Sequence, residues 1–363
     1  MFRVSTIAAL VACSTLVAQD SRNIILAASR SGVVELINPS TLETVGRIHF
    51  DLGPRSAGLN GVSASADGSQ LYIEGPIQNE PHGCCSLYSI ELATLQMKVV
   101  ASIAGSSSRG SFLVSDGLVY LATTLTVNGI ASGMSNDRLH LSPDGRWLFG
   151  VKSFRGPTLD VYDVARGQVV RQLTPEGLTG DWWPTGTWSG DRFYLYAANG
   201  TGSGRLWTVS TETTQLGAGA AIGPFGRLSG CTDQSSKAIV ASAGNLFIYE
   251  EFGFKVDRRN KCGGRVPGGA WVVDPITGQS TRQIAPYLHF SALVADRTGS
   301  ELYGLSAEGP NWELPAELVR MDASDGRTLQ SRHLDPGFWR IAVATLRIVP
   351  SGDVRPNGLV GMR

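Results

Sequence analysis

The sequence predicts an all-β protein built as a β-propeller, and three observations carry that expectation. One polar-ended hairpin recurs six times, a second hairpin stands upstream of most copies, and the two chain ends read as parts of one sheet. Composition agrees: of 363 residues 42% are hydrophobic, 17% are charged and 44 are glycine, which suits many short strands and tight turns. Lys+Arg and Asp+Glu both number 31, so the net charge is zero. No global field invites nucleic acid or an anionic membrane.

The first hairpin is a strand ending in a polar residue, followed by a tight turn. Its copies are Ile37-Asn38 before Pro39-Ser40-Thr41, Ile90-Glu91 before Leu92-Ala93-Thr94, and Tyr162-Asp163 before Val164-Ala165-Arg166-Gly167. It recurs at Val209-Ser210, at Val273-Asp274-Pro275-Ile276-Thr277-Gly278 and at Met321-Asp322-Ala323-Ser324-Asp325-Gly326. The polar side chain can bond the turn backbone, and glycine supplies positive φ where the chain reverses. The second hairpin turns at Ala66-Asp67-Gly68, Pro143-Asp144-Gly145, Gly190-Asp191 and Thr298-Gly299. Two such hairpins make a four-stranded antiparallel unit, the size of one blade.

Successive polar turn positions 38, 91, 163, 210, 274 and 322 differ by 53, 72, 47, 64 and 48. An inserted loop from Glu251 to Gly269 accounts for the 64. Within the 72, Phe112 to Leu121 reads as a further inner hairpin, and Val127-Asn128-Gly129-Ile130 offers a type I′ turn. A truncated blade there makes seven; six blades with one long insertion is the alternative. Ile24 to Ala28, Val33 to Ile37 and Val45 to Phe50 supply three strands of a blade whose innermost strand is Ile341 to Val349. Closing the ring in this way removes exposed sheet edges. The expected organisation is a signal peptide over 1–18, a propeller over 23–350 and a C-terminal tail over 351–363.

Arg3 and the apolar run Ile7-Ala8-Ala9-Leu10-Val11-Ala12 read as an export signal, too short to span a bilayer. Cleavage after Ala18 is the expected ending. Leu10-Val11-Ala12-Cys13 resembles a bacterial lipobox, so a lipoprotein anchored through Cys13 is the alternative. No other stretch approaches the length of a membrane helix. The expected location is periplasmic or extracellular.

Ser142-Pro143-Asp144-Gly145 and Asp274-Pro275-Ile276-Thr277-Gly278 carry a family resemblance. They are similar to the turn signature of the surface-layer or YVTN-type propeller repeats of exported bacterial proteins. Ala270 to Val349 also resembles the end of the heavy chain of quinoprotein amine dehydrogenases. That family implies a seven-bladed propeller acting as a scaffold, with the redox cofactor in a separate light chain. The matched residues are turn-formers, so the resemblance transfers no catalytic residue and implies no cofactor here.

Signatures for nucleophilic, metal-dependent or haem chemistry are absent from the sequence, and no metal ligands are assigned. His49, His82, His140, His289 and His333 are scattered. Cys84, Cys85, Cys231 and Cys262 remain after signal removal, an even count that in an exported chain suggests disulfides. The expected pairs are Cys84–Cys85 and Cys231–Cys262. Cross-pairing between these sets, or a soft metal held by the vicinal cysteines near His82, are alternatives. The basic run from Phe254 to Arg265 reads as a solvated loop or an anion contact.

Propeller geometry locates the binding face. Turns from first to second and from third to fourth strand share one face, and the sequence makes them short and uniform. The other connections share the opposite face and vary in length. Arg109, Trp182, Trp183, Arg227, Trp312, Trp339 and Arg340 fall among them and are the expected ligand- or partner-binding residues. Variable loops on a rigid scaffold carry function, and Trp and Arg are frequent interface anchors. The competing reading wedges Trp182, Trp183 and Trp339 between blades as packing. The expected function is that of a monomeric, non-enzymatic exported module binding a protein or glycan on this face. A propeller enzyme of the lactonase type, or a dehydrogenase scaffold subunit, is the alternative.

Overall fold

A computed structural model of the chain describes residues 21–52, 58–76, 86–102, 112–115, 118–121, 126–127, 130–131, 138–152, 158–176, 182–199, 204–222, 236–252, 268–306 and 315–357. The chain is a β-propeller. Its strands begin with β1 (Arg22–Ser29), β2 (Val33–Ile37) and β3 (Thr44–His49). The next blade holds β4 (Gly61–Ala64), β5 (Gln70–Gly75), β6 (Ser86–Glu91) and β7 (Met97–Ser102). A reduced sheet follows, of β8 (Phe112–Ser115), β9 (Leu118–Leu121), β10 (Thr126–Val127) and β11 (Ile130–Ala131). Then come β12 (Arg138–Leu141), β13 (Trp147–Lys152), β14 (Thr158–Asp163) and β15 (Gln168–Leu173), and after them β16 (Trp182–Ser189), β17 (Arg192–Asn199), β18 (Gly204–Ser210) and β19 (Ala220–Ile222). Two further blades are β20 (Ser236–Ser242), β21 (Asn245–Phe252), β22 (Ala270–Val273), β23 (Ser280–Ile284), and β24 (Phe290–Ala295), β25 (Glu301–Ser306), β26 (Pro315–Asp322), β27 (Thr328–Pro336). The chain returns as β28 (Phe338–Leu346) and ends in β29 (Gly352–Val354).

Closure follows the expectation. β28 pairs antiparallel with β1 from Arg22↔Leu346 to Ser29↔Phe338, completing the blade that β1, β2 and β3 begin. The count of full blades is six, the alternative left open by the sequence. The reduced sheet lies where the truncated blade was expected, and its innermost strand β8 runs between β4 and β12. The expected tail over 351–363 differs from what forms: residues 352–354 add β29 in parallel to the outer edge of β3. The Glu251–Gly269 insertion, the basic run within it and the four cysteines fall largely or wholly outside the described residues.

Burial explains why these segments are strands. Second strands lie between blades, and β5, β13 and β25 are buried almost throughout. Outer strands meet water, and β15 is exposed along nearly its whole length. Apolar seams fill the spaces between full blades. The repeated polar turn shows one geometry. In all six copies the N–H of the fifth residue donates to the carbonyl of the first, at 2.7–2.9 Å, from Leu42, Leu95, Gly167, Thr214, Gly278 and Gly326. Each of these fifth residues has φ between 47° and 73°.

Candidate functional site

The innermost strands all begin at the face carrying the variable connections. The site is best defined where the closing blade meets the next one. Trp339, the second residue of β28, is 7% exposed, and its indole Nε1–H donates to the Leu59 carbonyl at 2.8 Å, just before β4. Two guanidinium groups flank this ring. Arg340 Cζ lies 4.6 Å from the indole centroid and Arg30 Cζ lies 5.2 Å from it. Such cation–π placement holds each guanidinium against the ring.

Arg30 occupies the short turn between β1 and β2. Its N–H donates to the Gly337 carbonyl at 2.9 Å, while Leu59 N–H reaches the Ser29 carbonyl at 3.2 Å. Gly58, at φ +94°, passes so close that a Cβ there would lie 2.4 Å from Arg30 Cα. Only glycine allows both that φ and that approach. Burial pushes the Arg30 pKa below the usual guanidinium value, yet a guanidinium stays protonated at physiological pH. Glu74, 1% exposed near the end of β5, is paired in register with Gly61 at the start of β4, so its carboxylate belongs to the same end of the molecule. Further round the ring, Arg138 Nη1–H donates to Thr185 Oγ1 at 2.8 Å, linking β12 to β16.

The expected site residues divide. Arg109, Arg227 and Trp312 lie outside the described residues. Trp339 and Arg340 meet in one cluster with Arg30, which sequence reasoning missed. The two lie some three hundred residues apart and meet when β1 pairs β28, and the strand expected from Ile341 in fact begins at Phe338, which brings Trp339 and Arg340 beside the turn that holds Arg30. The expectation that Trp182, Trp183, Trp339 and Arg340 sit in connections is corrected: Trp182 and Trp183 open β16, opposite Asn199 and Ala198, and the other two lie within β28. Aromatic residues suit strand positions, and pairing extends further towards the face than the turn signals suggested. For Trp339 the packing role is plain, since its indole is covered and bonded across the blade seam.

Other buried polar groups tie blades together. Glu35 in β2 accepts from Arg332 of β27 at 2.8 Å, with Arg47 at 3.5 Å and Thr44 also on the same oxygen. Within one blade, Asp160 of β14 meets Lys152 of β13 at 2.6 Å and Gln172 of β15 at 2.7 Å. His140 in β12 packs its ring 5.2 Å from that of Phe193. The residue keeps some exposure, but the ring is enclosed, and this burial, with Arg138 adding, pushes its pKa down to about 3. Among the described residues no group of three or more His, Cys, Asp or Glu is placed to hold a metal ion, and no helix is long and apolar enough to cross a membrane. At the opposite end of the closing blade, Arg22, Asn23, Asn38 and Val349 help line a shallow cavity of about 280 Å³.

No family model and no curated protein matches the chain. Among solved structures it is similar to dihydro-heme d1 dehydrogenase NirN in complex with DHE, at 13% identity over 86% of this chain and 73% of that one, TM-score 0.48. Apo AztD from Citrobacter koseri aligns at 14% identity over 87% of this chain and 83% of its own, TM-score 0.44. TolB from Acinetobacter baumannii aligns at 14% identity over 89% of this chain and 66% of its own, TM-score 0.46. At such values the propeller assignment rests on strand order and ring closure, and the ligand must be argued from this chain's own residues.

Proposed function

We propose that this chain is an exported, non-enzymatic propeller that binds a protein or glycan on the face where its innermost strands begin. The observation that carries this reading is the Arg30–Trp339–Arg340 cluster: two guanidinium groups held on one covered indole at the closure seam. Glycine backbones at 58 and 337 fix the approach of the chain around Arg30. A fixed pair of planar cations suits carboxylate groups, whether of an acidic sugar or of a protein side chain. In this reading Arg109, Trp182, Trp183, Arg227 and Trp312 extend the same face. Export proceeds through residues 1–18, and the chain acts as a monomer stiffened by the Cys84–Cys85 and Cys231–Cys262 disulfides.

The test replaces Arg30→Gln and Arg340→Gln together. Capture is measured by isothermal titration with polygalacturonate and, separately, by cross-linking in a periplasmic extract. Dextran serves as the uncharged control. The reading expects at least one capture signal in the unsubstituted chain, absent with dextran, and reduced about tenfold or more in the double variant with its melting temperature little changed. Capture by neither route, or capture indifferent to the two substitutions, removes it.

A further inference from the structure

The chain continues after the ring closes. Beyond Leu346, Arg347 N–H donates to the Gly68 carbonyl at 2.9 Å, and the chain then turns outward. β29 lies on the outer edge of β3 in parallel register, Gly352↔Gly46, Asp353↔Arg47 and Val354↔Ile48. Ile348, Val349 and Val354 pack, half-buried, on the apolar cluster that contains Ile48, Ile90 and Met97. Arg355 Nη1 meets Asp51 Oδ1 at 2.7 Å. Asn357 then reaches the next blade, donating from its N–H to the Leu95 carbonyl at 2.8 Å and from Nδ2 to the Thr94 carbonyl at 2.7 Å.

Three features distinguish this tail from the strands of the blades. The pairing with β3 covers three residues, with one further bridge from Asn357 to Gln96, and the ion pair is exposed on both sides, where screening leaves it weak. The chain turns into the strand at Pro350-Ser351-Gly352, with Gly352 at φ +72°. The acceptor edge is shaped for it: a Cβ on Gly46 would lie 2.0 Å from the Pro350 carbonyl oxygen. The outer strands β7, β15, β19, β23 and β27 carry no such added strand in the described sheets.

We propose that the outer edge of β3 is a strand-acceptor site, filled in cis by β29 and able to take the same segment from a second copy of this chain. The occupant is defined by its chemistry. It presents a carbonyl to Gly46, an aliphatic residue to the seam, a cation to Asp51 and an amide side chain to the Glu91–Gln96 turn, and residues 350–357 meet all four requirements. Main-chain pairing supplies affinity in such strand addition, and the side-chain seats supply register. Exchange between copies keeps every contact and gives up only the high local concentration of the tethered tail. The site lies on the outer rim, away from the Arg30–Trp339–Arg340 face, so the proposal stands independently of the ligand.

Two full-length variants test it. Val354→Pro spoils the donor strand and leaves the acceptor edge, whereas Gly46→Val blocks the acceptor edge and leaves the donor. Each alone should be folded and monomeric. Mixed at ~100 µM, they should form a 1:1 complex on light scattering, which excess synthetic peptide of residues 349–357 dissolves. The same peptide, fluorescently labelled, should bind Val354→Pro about tenfold or more tighter than the unsubstituted chain, since the cis tail no longer competes. Failure of Val354→Pro to fold would show the tail to be a fixed part of the structure and overturn the proposal. So would peptide binding that is no tighter than to the unsubstituted chain, or a complex that excess peptide leaves intact. Should Gly46→Val not fold, the labelled peptide on Val354→Pro decides alone.

Discussion

His140 shows how one enclosed side chain sets a property of the whole fold. Its imidazole, against Phe193 and beside Arg138, has a pKa near 3, well below the value of about 6.5 in an unfolded chain. The folded state therefore holds the neutral ring, and the unfolded state takes up a proton below about pH 6.5. Stability is fully present above that value and declines as pH falls towards 3, at about 1.4 kcal/mol per unit. Between pH 7 and pH 5 this group alone should remove about 2 kcal/mol, measurable as a shift of the urea midpoint, and His140→Phe should flatten that dependence. A dependence unchanged in His140→Phe would show that other groups dominate. Trp339 supplies a second residue-scale expectation. Trp339→Ala empties a covered seam and should cost about 3–5 kcal/mol. Trp339→Phe keeps much of the volume but leaves the Leu59 carbonyl without its indole donor, so about 1–2 kcal/mol is expected. Thermal melts of the two variants separate cavity from hydrogen bond.

At the scale of the element, the repeated turn imposes one backbone on six different sequences. Its fifth residue must take a left-handed φ, and Gly167, Gly278 and Gly326 do so freely, while Leu42, Leu95 and Thr214 do not. Thr214 is β-branched, with φ at 47°, so Thr214→Gly should raise stability by about 0.5–1 kcal/mol. Leu42 has the same strain but is fully buried in the seam between the closing blade and β24–β27. Leu42→Gly should therefore lower stability by about 2–4 kcal/mol, since the lost burial exceeds the relief. Opposite signs at equivalent positions are the outcome to look for; equal signs would mean that backbone strain is not the quantity being changed. The polar first residue was legible because its role is local: Asp274 accepts from the N–H groups of Ile276 and Thr277, and Asp322 from that of Ser324. That Leu42 takes this conformation was not legible, since its burial in the seam, which compensates for the strain, arises only between blades.

At the scale of the whole molecule, closure depends on β28. It pairs β1 along its length, and its neighbours round the axis are β4 and β24. A chain ending before Ile341 loses most of that strand and all of β29. β1 then loses its partner from Arg22 to Ala27. Loss of cooperative unfolding in circular dichroism is the expected result, and a sharp native-like transition would show that the other blades hold the ring without it. The Glu35–Arg332 contact belongs to the same scale, since it joins β2 to β27 across the closing seam.

Propeller architecture, ring closure by the two chain ends and the place of each short turn were determined by the sequence alone. Those features depend on local hydrogen bonding and on strand periodicity, which neighbouring residues encode. The Arg30–Trp339–Arg340 cluster, the covered setting of Trp339 and the strand made by residues 352–354 were decided only by tertiary structure. Arg30 reads in sequence as an ordinary turn residue, and Asp353 and Val354 read as a tail. Their roles arise because pairing of β1 with β28 brings positions some three hundred residues apart to one seam, where an indole is covered and an outer edge of β3 is left for a strand to fill.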